Sequence, residues 1–330
     1  MLKGRKGMGR RVLSYDRWIG GILSLMVLLA GQAYAGDTDD KKPDDPKPKE
    51  LLDCRYGQTY EKTDGETVGE AFPSDDVFRP LLADPKQPQF FATWRATQSR
   101  TDRTTSNIGS VAIGENFGFY TRREGCNGWQ ISLLTGIFAQ FDLDEKNAQL
   151  INTDFNVGIP ITWRSGNWSA RLRYYHQSSH IGDEFLGANP GFKSITFILE
   201  EVDAILSYEY RWLRLYGGGG YLVHREPATF DRGKVQWGFE ARAPSMRTGI
   251  LGSFLDRLVV TPVLSADFKS IQAHDWIIDT NVLGGFEWSR TGSFRRFRIM
   301  ATYFHGYNPY GLFVINQKIE SIGLGAYFMF

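Results

Sequence analysis

The sequence predicts an all-β protein, a transmembrane antiparallel up-and-down β-barrel of about twelve strands. From Phe90 onward, segments of about ten residues alternate apolar and polar side chains and are separated by Gly, Asn, Asp and Ser. Charged residues recur on the polar face, and tryptophans such as Trp163 and Trp168 lie at segment ends. A soluble β-sandwich also alternates, but these two features favour a barrel with a wet interior and aromatic girdles at the membrane interfaces.

The first 35 residues have the pattern of a secretory signal peptide. Basic residues precede the apolar run "WIGGILSLMVLLAG", and "QAYA" follows it, which predicts cleavage after Ala35. The run is short for a membrane span, so we expect an exported chain and not an anchored one. Residues 36–50, "GDTDDKKPDDPKPKE", cannot bury apolar area and predict a disordered periplasmic leader.

Charge and cysteine content narrow the possible partners. Without the six basic residues and one acidic residue of the signal peptide, 32 basic and 36 acidic residues remain, a net charge of about −4. This balance argues against a nucleic-acid partner. The two cysteines, Cys54 and Cys126, could form one disulfide in an oxidising compartment, and two isolated cysteines do not make a metal site.

Residues 51–89 have mixed character, and "FPSDDVFRPLLADPKQPQ" contains four prolines, so we expect a largely irregular periplasmic lead-in or plug. Residues 90–330 are expected to form the barrel. Twelve strands are expected, an even number, as is usual for single-chain bacterial barrels. Their predicted ranges are 90–97, 107–121, 127–142, 149–164, 167–178, 196–211, 212–223, 233–244, 256–271, 276–289, 294–306 and 319–330.

The fifth predicted strand, "NWSARLRYYHQS", departs from the alternation. Its two arginines must face the interior, so His176 and Ser178 point toward lipid near the external end of an outward-running strand. The next strand carries Glu200 on its apolar face. If the hairpin folds about Ala188, Glu200 stands opposite His176 and within its reach.

Polar groups facing hydrocarbon are costly, by about 2–4 kcal/mol for a basic group at the midplane. Three converging groups fit an acyl-transfer site in which Ser178 is the nucleophile, His176 the base and Glu200 the orienting acid. The alternative is that strand ends near the headgroup layer are wet and tolerate polar side chains without chemistry.

"HQS" at 176–178 resembles the His-x-Ser motif of the outer-membrane phospholipase A family and is similar to the His-x-Ser of lipid A deacylase barrels. The resemblance implies a twelve-stranded barrel with a lipid-facing base and nucleophile at His176 and Ser178. The phospholipase motif continues with Asn-Gly-Arg, where this chain has Ser179, His180 and Ile181.

Most of the mature chain resembles an uncharacterised family of exported β-barrel proteins of Gram-negative bacteria, and this resemblance implies no activity. The shared stretches are "LLADPKQPQF" at 81–90, "YHQSSHIGDEF" at 175–185 and "EEVDAILSY" at 200–208. The final strand, "SIGLGAYFMF", resembles the closing strands that outer-membrane assembly machinery recognises. We therefore expect the Gram-negative outer membrane, with membrane lipid and that machinery as partners.

The phospholipase resemblance also implies calcium, for which Asp183 and Glu184 are the candidate ligands, since carboxylates suit this hard cation. An ordinary solvated loop is the alternative for this pair. We expect His180 to begin that loop. The functional expectation is a lipid acyl hydrolase acting on phospholipid or lipid A. The alternative is a non-enzymatic structural or transport barrel, although mixed charges in a narrow interior more often cross-link into a closed core.

Overall fold

The computed structural model describes residues 51–53, 59–61, 67–73, 75–247, 258–290 and 295–329. The predicted signal peptide and leader, residues 1–50, lie outside these ranges. Cys54 also lies outside them, so its pairing with Cys126 stays a prediction. Within the described ranges, no helix is both long enough and apolar enough to cross a membrane.

Twelve of the described strands form a closed antiparallel barrel, which confirms the predicted all-β fold and strand number. Each strand pairs with its neighbours in sequence, and the ring closes where Phe328 of the last strand lies opposite Phe90 of the first. Every predicted strand agrees with an observed one to within three residues at each end. The strands are β1 Phe90–Ser99, β2 Thr105–Glu124, β3 Asn127–Asp142, β4 Gln149–Ser165, β5 Trp168–Ile181, β6 Phe197–Tyr210, β7 Leu213–Glu226, β8 Gly233–Arg242, β9 Leu258–Ile271, β10 Ile278–Arg290, β11 Arg296–Tyr307 and β12 Lys318–Met329.

Short elements accompany the barrel. A strand at Val68–Ala71 pairs with the C-terminal part of β2, Tyr120–Arg123. The strands Leu51–Asp53 and Thr59–Glu61 pair with each other. Helix α1, Asp183–Ala188, follows β5. The other short elements are the strand Met246–Arg247 and the 3-10 helices Gln272–His274 and Gly311–Ile315.

The two ends of the barrel differ in the length of their connections. Two-residue turns join β2 to β3, β4 to β5 and β6 to β7, whereas the connection from β5 to β6 contains α1. Outer-membrane barrels have short turns at the periplasmic end and longer loops outside. The connection from β8 to β9, residues 243–257, is also long, but the three two-residue turns favour the end carrying Trp168 as the periplasmic end, with β5 running outward.

The exterior of the barrel is apolar. Ile159, Ile161, Leu172, Leu206 and Leu215 are each about half exposed. Large contiguous apolar surface is rare on soluble proteins and marks contact with another apolar phase. This surface is the lipid-facing wall expected from the alternation.

The interior of the barrel is filled with paired charges. Arg171 and Arg173 both bond to the carboxylate of Asp203, and Lys234 bonds to Glu201. All five side chains are buried or nearly so. This agrees with the expectation that mixed charges cross-link the inside of the barrel.

A segment of fifteen residues, 75–89, lies inside the barrel as a plug. Its backbone is bonded from several sides of the wall, because Gln130 of β3 accepts the N–H of Val77 at 2.8 Å, Glu240 of β8 accepts that of Leu82 at 2.9 Å, and Asn281 of β10 donates to Ala83 at 2.6 Å. The plug side chains Phe78, Leu81 and Leu82 are buried. An irregular backbone is tolerated at membrane depth only where protein surrounds it, and this segment meets that condition.

Candidate active site

Strand β5 places the candidate residues on the outer wall. Arg173, Tyr175 and Gln177 are buried in the interior, and the alternate side chains of His176 and Ser178 are half-buried on the outer face. Successive strand residues point to opposite faces, so the interior preference of the arginines fixes the outward direction of this pair.

The register between β5 and β6 brings the predicted acid to the predicted base. Glu200 lies directly opposite His176, as expected from a hairpin centred near Ala188. Nδ1 of His176 lies 3.5 Å from Oε1 of Glu200, and the two side chains are 35% and 29% exposed. With Nδ1 directed at the carboxylate, Nε2 is the ring nitrogen left for a nucleophile.

Ser178 stands two residues beyond His176 on the same face. Its register neighbours are Phe155 of β4 and Ile198 of β6, so apolar side chains flank the hydroxyl on both sides. Within the described residues, His176 is bonded to Glu200 and makes no hydrogen bond to Ser178. A base and nucleophile often come into hydrogen-bonding distance only when substrate is bound, so the free geometry is compatible with a dyad.

Two further side chains join this face, and the sequence reasoning missed both. The hydroxyl of Tyr174, two residues before His176, interacts with the Glu200 carboxylate. On the other flank, His224 of β7 is the register partner of Glu200. The sequence could have indicated Tyr174, because residues two apart on a strand share a face and Tyr174 is two residues before His176. His224 depends on a β-bulge after Leu222, which the sequence does not specify.

The expectation that His180 begins the loop is wrong. His180 is still part of β5 and faces outward, with its ring edge-on to Phe155 at 5.7 Å. The strand extends to Ile181 because its pairing with β4 continues there, opposite Asn152. Ser179 is buried and faces the interior, as the alternation of side chains along the strand predicts.

Asp183 and Glu184 lie in the first turn of α1, and both are exposed. Among the described residues, no group of three or more His, Cys, Asp or Glu side chains is arranged to hold a metal ion. The calcium role of the pair therefore stays a prediction.

Several solved structures are similar to this chain. Outer membrane phospholipase A from Escherichia coli is 12% identical with a TM-score of 0.47, over 73% of this chain and 89% of that one. The calcium-bound phospholipase dimer from Salmonella typhi is 12% identical with a TM-score of 0.46, over 73% and 90%. The beta domain of the Bordetella autotransporter BrkA is 12% identical with a TM-score of 0.36, over 74% and 98%.

The sequence comparisons give a family but no characterised relative. No curated protein matches the chain significantly. Residues 58–330 match the family described as "Protein of unknown function (DUF1207)", and the chain therefore belongs to that family.

Proposed function

We propose that this protein is an outer-membrane serine hydrolase that releases an acyl chain from a membrane lipid, either a phospholipid or lipid A. The observation that carries the proposal is the 3.5 Å pair of His176 and Glu200 on the outer face of the barrel, with Ser178 beside it. Polar groups are expensive at a lipid-facing position, and a base, an acid and a hydroxyl on one face match the groups that acyl transfer needs.

The reaction follows from the roles of the three side chains. Oγ of Ser178 attacks the ester carbonyl while Nε2 of His176 takes its proton, and Glu200 orients the imidazole and stabilises its charged form. The lipid alcohol leaves with the proton from His176, and the acyl group stays on Ser178. Water, activated by the same imidazole, then cleaves this acyl-enzyme and releases a fatty acid.

The height of Ser178 supports an outer-leaflet substrate. Ser178 is ten residue steps along β5 from Trp168 at the periplasmic end. At about 3.3 Å per residue and a tilt of about 40°, they rise roughly 25 Å, the height of the apolar band of a membrane barrel. This height supports a position of Ser178 near the outer boundary of the hydrocarbon, where the ester groups of outer-leaflet lipids lie.

The cellular setting is part of the proposal. The apolar wall supports residence in the outer membrane, with lipid as the surrounding phase. Export by the predicted signal peptide, assembly by the outer-membrane machinery and a calcium ion at Asp183 and Glu184 are expectations from the sequence. The plug and the interior ion pairs weigh against the alternative of an open transport barrel.

The test uses two adjacent serines on opposite faces. Purified wild-type protein in detergent is given phospholipid and lipopolysaccharide, and released fatty acid is measured. Ser178→Ala is expected to lower the rate at least 10³-fold, to near background, because the nucleophile is lost. Ser179→Ala, on the interior face, is expected to retain wild-type activity. A wild-type protein inactive on every such lipid, with and without calcium, would remove the enzyme proposal.

A further inference from the structure

A groove of about 280 Å³ lies on the outer wall beside the candidate active site. It crosses the barrel from β5 back to β1, and His176 and Ser178 form one end of it. Glu200 lies on the opposite flank of His176, on β6. The site thus has a carboxylate on one side and an elongated depression on the other. The large apolar side chains of the groove are Phe90, Ile113, Phe117, Ile137, Phe155 and Val157.

A row of aligned positions forms the base of the groove. Glu115 of β2 lies opposite Thr135 of β3, Thr135 lies opposite Val157 of β4, and Val157 lies opposite His176. Thr135 and Val157 are short, whereas Ile113, Phe117 and Phe155 beside the row project further. The depression follows from this contrast in side-chain length.

The far end of the groove coincides with an interruption in the wall. β1 pairs with β2 only up to Ala112, and the strand Val68–Ala71 pairs with β2 only from Tyr120 onward. Residues 113–119 have no strand on that side among the described residues, because the plug leaves the wall there. Within this stretch, the carboxylate of Glu115 accepts a hydrogen bond from the N–H of Asn116 at 3.1 Å.

The dimensions of the groove fit an acyl chain. Five adjacent strands have four gaps of about 4.8 Å, so the groove is roughly 19 Å long. The hydrocarbon of one leaflet is about 15 Å thick, half of a typical bilayer core, so a groove of this length can hold one acyl chain. The groove is apolar along its sides and lies within the lipid-facing wall, where acyl chains are the surrounding medium.

The charges near Ser178 favour one class of headgroup. Glu200 borders the site, and Asp183 and Glu184 are exposed just beyond the outer end of β5, against the one cationic Lys193 in the same connection. Carboxylates attract an ammonium group and repel additional phosphates. This favours an amine-bearing glycerophospholipid over an anionic phospholipid or lipid A.

We propose that the groove binds one acyl chain of an amine-bearing glycerophospholipid and places its ester at Ser178. This inference rests on the proposed hydrolase function and names its substrate. Because the ester lies at the groove end formed by His176 and Ser178, the groove also measures chain length. For short-chain esters dissolved as monomers in water, kcat/KM of the active enzyme is expected to rise about fourfold for each methylene that the groove takes out of water.

The test reads lipid occupancy without relying on catalysis. Ser178→Ala protein is incubated in detergent with phosphatidylethanolamine carrying palmitoyl and oleoyl chains, and retained lipid is counted by native mass spectrometry. One lipid per barrel is expected. Adding Thr135→Trp, which fills the base of the groove, is expected to lower the occupancy at least fivefold. If that barrel does not fold, Thr135→Leu provides the same test with a smaller side chain.

Ala139→Trp is the matched control. Ala139 lies on the same outward face of β3, four residues beyond Thr135 and outside the groove, so occupancy is expected to stay at the level of Ser178→Ala alone. Equal occupancy in the Thr135 and Ala139 variants would overturn the groove assignment, as would an absence of retained lipid in all of them. Tighter retention of phosphatidylglycerol or lipid A would overturn the headgroup assignment.

The outcomes separate this inference from the hydrolase proposal. If the protein retains lipid in the expected pattern but releases no fatty acid, the groove assignment is supported and the hydrolase proposal is overturned. If the protein hydrolyses lipid but all variants retain lipid equally, the hydrolase proposal is supported and the groove assignment is overturned. In an active protein, Thr135→Trp is expected to lose the dependence of kcat/KM on acyl-chain length, whereas Ala139→Trp is expected to keep it.

Discussion

At the scale of single residues, the unusual feature of this barrel is a histidine–glutamate pair on its outside. His176 and Glu200 are about one-third exposed, and they lie on strands whose other outward side chains are mostly apolar. In water such a pair contributes little to stability. Because the pair adds little to folding, we propose a catalytic role for it.

The proposed role of Glu200 as a positioning residue predicts a specific kinetic change. Glu200→Gln keeps the shape of the side chain but removes the charge that orients the imidazole and stabilises its protonated form. We expect kcat to fall on the order of 10²- to 10⁴-fold while KM changes little. Glu200→Asp is expected to recover part of the loss. Steady-state kinetics on a dispersed phospholipid measures both parameters.

Glu226→Gln is the control for this change. Glu226 is an exposed carboxylate at the outer end of β7, 3.9 Å from His224, and its register partner on β6 is Ile198. Its substitution is expected to leave kcat within a factor of two. A wild-type kcat in Glu200→Gln, or an equal loss in both variants, would contradict the assignment.

At the scale of elements, the position of the plug depends on an ion pair between its buried Asp84 and Lys269 of the wall. Asp84 is bonded to Lys269 of β9, and it also accepts hydrogen bonds from Gln236 at 3.1 Å and from the N–H of Lys86 at 2.8 Å. Burial alone would raise the pKa of the Asp84 carboxyl. The Lys269 ammonium and these hydrogen bonds outweigh that effect and hold the pKa below its ordinary value.

Removing one partner of this pair is expected to be costly. Lys269→Met leaves the buried Asp84 carboxylate without its cation, and we expect about 3–5 kcal/mol of lost stability. The double variant with Asp84→Asn is expected to recover much of the loss, since the charge is also removed. Urea unfolding in detergent, followed by tryptophan fluorescence, measures the difference.

An exposed pair provides the comparison. Arg100 lies 2.8 Å from Glu320 at the surface, with side chains 39% and 23% exposed. Arg100→Met is expected to cost less than about 1 kcal/mol. If Lys269→Met is no more destabilising than Arg100→Met, the wall pair does not hold the plug.

At the scale of the whole molecule, the interior determines what can pass through the barrel. The plug lies inside the wall and is bonded to it, and charges around it are paired across strands. We expect no steady ion conductance when the purified protein is inserted into planar bilayers, with a porin treated identically as the control. Uniform, long-lived conductance steps from the protein would contradict a closed interior and favour the transport alternative.

The sequence by itself determined the fold class, the twelve strands and the direction of the site residues. Alternation with a period of two assigns each side chain to a face, and the arginines of β5 must face inward, so His176 and Ser178 face outward. The partner of His176 was also predictable, because a hairpin pairs residues symmetrically about its midpoint.

Only the tertiary structure decided the course of the plug, the groove and the position of His224 opposite Glu200. The plug bonds Val77 to Gln130 and Leu82 to Glu240, contacts between residues far apart in the chain that no local pattern encodes. The groove depends on Glu115, Thr135 and His176 falling in one row across four strands. That row exists because registers, bulges and ring closure add up around the barrel, and none of these is visible in any single strand.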